Sequence, residues 1–421
     1  MPELRLDGTR YHGSYQRHRR SRRWLACAAL LIAIGAVVTA VVLVTGGTGR
    51  STQGKPASSS SPSGHGAKSS PSGSASLAPS TTTAAATTPA TSTTAAPAPP
   101  LSKQIGQLLV GSFTGTVPPE SLLARIRDGQ LGGVILFSNN TAAGLSAVRT
   151  MDAELQRAAK EGGNPPLLIM TDQEGGEVRR LPGAPTMNAA DITSTAEARQ
   201  EGAATGRLLR SEGVNLDLAP VSDVAASTGS FLGPRAFGTN PSSVGALACA
   251  FAGGLASTGV GYTLKHFPGL GLATTSTDVA PVTIDASTAT LEADWDAYRH
   301  CGSDPRALIM VSNAVYPSLT GSLPAVESPL TYSKALPLAL DHHDPVTISD
   351  DLGAGALTNQ PSPALHALKA GLDVAMYASV TSGSQLAYSK LLEDVRAGLL
   401  SRKRILAAEK AVVAYKKVIA G

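Results

Sequence analysis

The sequence predicts an α/β fold: a (β/α)8 TIM-like barrel preceded by a transmembrane helix and a disordered linker. Three observations predict it. From Leu101 onward, seven short apolar runs alternate with helix-period segments, the pattern of βα repeats in a closed parallel barrel. Polar groups gather just after those runs, where a parallel barrel brings its strand ends to one face. Ahead of all this, the uncharged run Trp24–Val44 follows a cluster of arginines.

Taken in order, residues 1–23 carry seven arginines against Glu3 and Asp7, a net +5 in a chain whose total is +4. The remainder is therefore near neutral, and no basic face is left to argue for a nucleic-acid partner. Residues 24–44 rise about 30 Å as a helix, the depth of a bilayer's hydrocarbon core. With the arginines before it, such a helix keeps the N-terminus in the cytoplasm and sends the rest outside as a single-pass membrane protein. A cleaved signal peptide is the competing reading. The length of the run and the lack of a clear Ala-x-Ala site argue against it. Residues 45–100 are Ser, Thr, Ala, Pro and Gly with almost no large apolar side chain, so they read as a disordered tether. As a flexible coil it spans about 40 Å, enough to hold a domain off a membrane. Cys249 and Cys301 fall in the exported part, where a disulfide is permitted, although the sequence leaves open whether they meet.

Within residues 101–421, strands are expected at 133–137, 167–170, 215–218, 261–264, 307–311, 346–348 and 373–377. Amphipathic helices are expected between them, for example over Thr195–Glu212 and Pro241–Thr258. An eighth strand is not placed. An open doubly wound sheet is the alternative, but no Gly-x-Gly-x-x-Gly follows the first strand, and no dinucleotide or other cofactor is expected.

The polar strand ends are Asp172-Gln173-Glu174-Gly175-Gly176, Pro220-Val221-Ser222-Asp223, Lys265-His266, Asn313 and Ser349-Asp350-Asp351. Lys265 and His266 open a Pro-Gly-Leu-Gly turn, which joins rigid placement to a mobile loop. Acids at several strand ends suit a neutral polar ligand or a cation. A metal site from Asp341-His342-His343-Asp344 is weighed and set aside. These residues precede a strand, at the opposite end of the barrel, and lack regular ligand spacing.

These motifs together resemble glycoside hydrolase family 3, in its single-domain bacterial β-N-acetylglucosaminidase branch. The likeness runs from about Ile105 to Tyr377. It rests on Gly132–Phe137, Thr171–Gly176, Ala219–Val224, Arg235–Gly238, Lys265–Gly269 and Ile348–Leu352 in that order. The resemblance implies retaining hydrolysis of a β-linked terminal sugar, with a small carbohydrate from the cell wall, such as a peptidoglycan fragment, as substrate. It places the nucleophile at Asp350, and it places hydrogen bonds to the sugar at Asp172, Arg235, Lys265 and His266. Arg235 has a bland alternative as the ion-pair partner of Asp172 or Asp223, and Asp351 as a helix cap. Aromatic residues make up only 4% of the chain, which favours a small pocket over a long stacking cleft.

The pattern breaks in one place. The branch carries a general acid/base His on the loop after Lys-His-Phe-Pro-Gly-His-Gly, oriented by an Asp two residues earlier. The same count here reaches Ser276-Thr277-Asp278, Leu270 replaces the earlier His, and Asn313 stands where the branch often carries His. Asp278 is therefore the candidate acid/base, requiring a proton held by burial or by the Asp350 charge. Asn313 is carried as a substrate-binding candidate. The alternative is a sugar-binding module of the same fold that does not turn over.

Overall fold

Eight parallel strands form one sheet in this computed structural model, which describes residues 98–227 and 229–420. They are β1 (Leu109–Gly111), β2 (Gly133–Leu136), β3 (Leu168–Thr171), β6 (Leu216–Asp217), β7 (Gly261–Phe267), β8 (Ala307–Val311), β9 (Val346–Ser349) and β10 (Ala375–Met376). A hairpin, β4 (Gln173–Gly175) and β5 (Val178–Arg179), interrupts the series after β3. The sheet order is β10-β1-β2-β3-β6-β7-β8-β9. Val374 N donates to Thr347 O and Ser349 N to Val374 O, both at 2.9 Å, which brings the two ends together in a nearly closed barrel. The expected tail, the membrane run and all but the last residues of the linker lie outside the described residues. No described helix is long and apolar enough to cross a membrane.

The unplaced strand is β1. It has three residues and follows the helix Leu101–Gln107 after a single residue, so apolar Ile105, Leu108 and Leu109 read as one continuous helical face. The other correction of consequence concerns β7. It continues through Phe267, so Lys265 and His266 belong to the strand itself. The Lys265–His266 and Phe267–Pro268 peptides are cis, and the β7–β8 register shifts between Leu264 and Phe267.

The helices flanking β6 have clear local causes. Over Thr195–Glu212, the Ser194 side chain accepts from Glu197 N, and Gly213 ends the helix in the left-handed region at φ 93°. Over Pro241–Ala256, the Asn240 side chain caps Ser243 N and proline occupies the first turn. The two helices touch closely because both lack side chains at the crossing. A methyl on Gly202 would lie 2.1 Å from Phe251 O, and one on Gly254 would lie 2.4 Å from Arg199 O. Cys249 and Cys301, left open by the sequence, are joined, tying the second helix to Asp296–Cys301. Trp295 and Tyr298 pack on Phe267 with ring centroids at 5.5 and 5.2 Å, and Trp295 Nε1 donates to Pro268 O at 2.9 Å. Each such buried ring contributes about 1.5–3 kcal/mol and braces β7 from behind, fixing the strand end that carries Lys265 and His266.

Candidate active site

A cavity of about 560 Å³ opens at the C-terminal ends of the strands. Asp172, Arg235, Lys265, His266, Asp278 and Asp350, six of the seven residues singled out in the sequence, line it together with Glu174 and Arg180.

Lys265 is buried and lies between two acids, its Nζ 2.8 Å from Asp172 Oδ1 and 2.6 Å from Glu174 Oε1. Arg235, held in a short turn at Gly233–Arg235, grips Glu174 with two parallel bonds. Nε reaches Oε2 at 2.8 Å and Nη2 reaches Oε1 at 2.9 Å. Arg235 therefore pairs with Glu174, and neither Asp172 nor Asp223 is its hydrogen-bond partner. Burial works against the Glu174 charge, but Lys265 and Arg235 outweigh it and hold the carboxyl down to about 2. Burial likewise opposes the Lys265 and Arg235 charges. Asp172 and Glu174 hold the ammonium above its ordinary value, and Glu174 does the same for the guanidinium.

Asp223 organises the next strand end. Its Oδ2 lies 2.7 Å from His266 Nδ1, while Oδ1 accepts His266 N at 3.0 Å and Leu270 N at 2.7 Å. A carboxylate that already accepts two N–H groups takes a third from Nδ1, which leaves Nε2 for the cavity. Composition had marked Asp223 as a strand-end acid but could not assign it this partner. Arg180 was missed altogether. It follows the hairpin eight residues after Asp172, its Nη2 3.9 Å from Asp172 Oδ2 and its guanidinium 5.7 Å over the Phe137 ring. The signal available was an arginine just past the Gly-Gly turn, which alone does not tell a ligand-facing residue from a surface one.

The two adjacent carboxylates after β9 divide their work. Asp351 is buried and accepts Gly353 N and Ala378 N on Oδ1 (2.9 Å each) and Ser379 N on Oδ2 (3.0 Å). It ties the β9 and β10 loops together, where the bland alternative had made it a helix cap. Asp350 faces the cavity, with Asp351 N on Oδ1 at 2.8 Å and the Thr277 hydroxyl 3.4 Å from Oδ2. Burial pushes the Asp350 carboxyl above its ordinary range and Asp278 adds to the push, while His266, chiefly, and Lys265 oppose it. Burial is the largest of these influences, and the carboxyl stays above its ordinary range. Asp278 itself is exposed, so the burial expected for it from the sequence is absent.

Asn313 is the exception. It is buried and does not line the cavity, and its Nδ2 donates to Asp351 O at 2.8 Å. A strand-end position puts a residue on the right face without fixing where its side chain turns. Asp341–Asp344 lie exposed in a turn before β9, at the end of the barrel away from the cavity, with Asp341 and His342 at positive φ.

Comparison with known proteins identifies the family. The Glycosyl hydrolase family 3 N terminal domain matches residues 100–414. An uncharacterized secreted glycosyl hydrolase of Arthroderma benhamiae is 34% identical over 330 residues, covering 75% of this chain and 93% of that one. The beta-hexosaminidase LpqI of Mycobacterium tuberculosis is 29% identical over 311 residues, 70% of this chain and 78% of LpqI. Among solved structures, a family 3 beta-N-acetylglucosaminidase from Paenibacillus sp. aligns with a TM-score of 0.72 at 28% identity. That alignment covers 77% of this chain and 63% of that one. The beta-N-acetylhexosaminidase of Beutenbergia cavernae gives 0.68 at 29% identity, over 76% of this chain and 99% of that one. With a family match over most of the described barrel, the chain belongs to glycosyl hydrolase family 3.

Proposed function

We propose that this chain hydrolyses a β-linked terminal N-acetylhexosamine by a retaining mechanism, with Asp350 as nucleophile and Asp278 as acid/base. The chain is a glycosidase of the hexosaminidase type. The observation that carries the mechanistic reading is that Asp350 and Asp278 open on one cavity with Asp172, Arg235, Lys265 and His266. In the first step the Asp350 carboxylate bonds to the anomeric carbon as the glycosidic C–O bond breaks, and the departing oxygen takes the proton of Asp278. In the second step Asp278, now ionised, takes a proton from water as that water attacks the anomeric carbon. The ester to Asp350 breaks and the sugar leaves with its configuration retained. Asp172, Arg180, Arg235, Lys265 and His266 bind the sugar hydroxyls. The substrates are small, cell-wall-derived carbohydrates, in keeping with a small cavity and with relatives named as beta-hexosaminidases. The barrel lies on the outer side of the cell envelope, following the uncharged apolar run of residues 24–44. The arginines before the run support this topology, and one relative is named as secreted.

The exposure of Asp278 favours testing the non-catalytic alternative directly. Protonation of the leaving group matters most for a poor leaving group such as another sugar. Asp278→Ala should therefore lower hydrolysis of an N-acetylglucosamine disaccharide by about 10²–10⁴-fold and that of the nitrophenyl glycoside far less, with azide restoring turnover of the latter. A wild type that binds N-acetylglucosamine yet cleaves neither substrate would establish the binding module instead.

A further inference from the structure

The stretch Ser276-Thr277-Asp278 carries a hydrogen-bond arrangement that the reaction steps above do not use. We propose that Ser276 is the positioning residue for Asp278, an inference that rests on Asp278 being the acid/base. The Ser276 hydroxyl donates to Asp278 Oδ2 at 3.1 Å, and Ser276 Oγ in turn accepts Asp278 N–H at 3.1 Å. The two bonds close a small ring that fixes the carboxyl group against its own backbone. That backbone is held in turn by the β9 loop. Gly355 N donates to Asp278 O at 3.0 Å, and Ala356 N donates to Thr277 O at 2.9 Å. A methyl on Gly355 would stand 2.3 Å from Val279 O, so the contact needs a glycine there. Thr277, only 2% exposed between two more exposed neighbours, reaches the nucleophile itself. The loop tip is thus fixed on three sides, and the Ser276 hydroxyl sets the remaining freedom of the Asp278 side chain.

The chemistry of the pair is matched. An ionised carboxylate only accepts hydrogen bonds, so whatever orients it must donate, and a serine hydroxyl can. The Asp–His pair expected from the family resemblance works with the opposite polarity, an acceptor orienting a donor. Replacing both members conserves a working pair where replacing either alone would not. Around Asp278 the charged and titratable groups are Asp350 and Asp351 after β9, and Lys265 and His266 on β7. Asp172, Glu174 and Arg180 from the β3 side and Arg235 after β6 complete the cavity. None of these is altered when the hydroxyl is removed.

The test compares wild type, Ser276→Ala, Ser276→Thr and Asp278→Ala across pH on an N-acetylglucosamine disaccharide and on the nitrophenyl glycoside. Ser276→Ala should lower kcat/KM for the disaccharide about tenfold and for the nitrophenyl glycoside much less. The basic limb of its pH profile should move upward, because the ionised form has lost a donor. Ser276→Thr, which keeps the hydroxyl, should restore both. An equal loss on the two substrates with an unmoved basic limb would show a merely structural residue and overturn the assignment. If Asp278→Ala separates the substrates and Ser276→Ala does not, the Ser276 role alone falls. If Asp278→Ala does not separate them, the acid/base reading falls and takes this one with it.

Discussion

On the β3–β7 side of the cavity, Glu174 is buried and bound by two cations, whereas across from it Asp278 stands exposed on a loop with one hydroxyl for a partner. The first arrangement resists change one residue at a time, since losing any member of two acids and two cations leaves buried charge unbalanced. The second can be rewritten cheaply, because an exposed carboxylate places little demand on the fold. The resemblance read from the sequence follows the same division. The residues it places on the sugar, Asp172, Arg235, Lys265 and His266, lie on the buried side, and its one break in pattern falls on the exposed loop.

The largest predicted effect comes from breaking the buried side. Glu174→Gln removes the shared counter-ion of Lys265 and Arg235, and should cost about 3 kcal/mol of stability and about 100-fold in kcat/KM. Denaturant melts and steady-state kinetics check both. Ser276→Ala and Asp278→Ala should leave the melts unchanged, so a matching stability loss at Asp278 would erase the distinction between the two sides.

Acid titration sharpens the contrast further. Glu174 is depressed from 4.5 to about 2, so its contribution to stability is present above its ordinary value and is lost as pH falls toward 2. Glu174→Gln should flatten that limb of the stability curve. A stability effect of the opposite sign, with no expected change in activity, lies behind the barrel. Asp152 is 1% exposed, and both its carboxyl oxygens lack partners among the described residues. Burial first, then Glu212, pushes its carboxyl up from 3.8 to about 8. Stability from this group is complete below 3.8 and is lost as pH rises through about 8. Asp152→Asn should match wild type at pH 4 and gain on it by about 1 kcal/mol for each pH unit approaching 8. Equal curves across that range would mean that Asp152 finds partners in solution.

Much of the site was legible because strand ends are short and polar. An acid or base following an apolar run had to fall on one face, and Asp172, Lys265, His266 and Asp350 did. Direction was not legible. Asn313 occupies a strand end yet turns away to hold Asp351 O, and Arg235 chooses Glu174 from several nearby acids. Such choices depend on fractions of an ångström in the packed molecule. The fold shows the same division. The long amphipathic segment Thr195–Glu212 matched residue for residue and the next ended two residues short of its expected Thr258, whereas β1 vanished into the helix before it because three residues carry no period of their own. Cys249 and Cys301 were visible as a possibility, and their meeting depended on how two helices pack.

The central claim, that Asp350 becomes covalently bonded to the sugar, can be measured directly. A 5-fluoro N-acetylglucosaminyl fluoride combines a good leaving group with a ring fluorine that slows release of the intermediate more than its formation. Mass spectrometry of the digested protein should find the added sugar on the peptide bearing Asp350, and Asp350→Ala should abolish both the label and the turnover. A label on Asp351 or Asp278, or hydrolysis of the nitrophenyl glycoside that survives Asp350→Ala, would contradict the account.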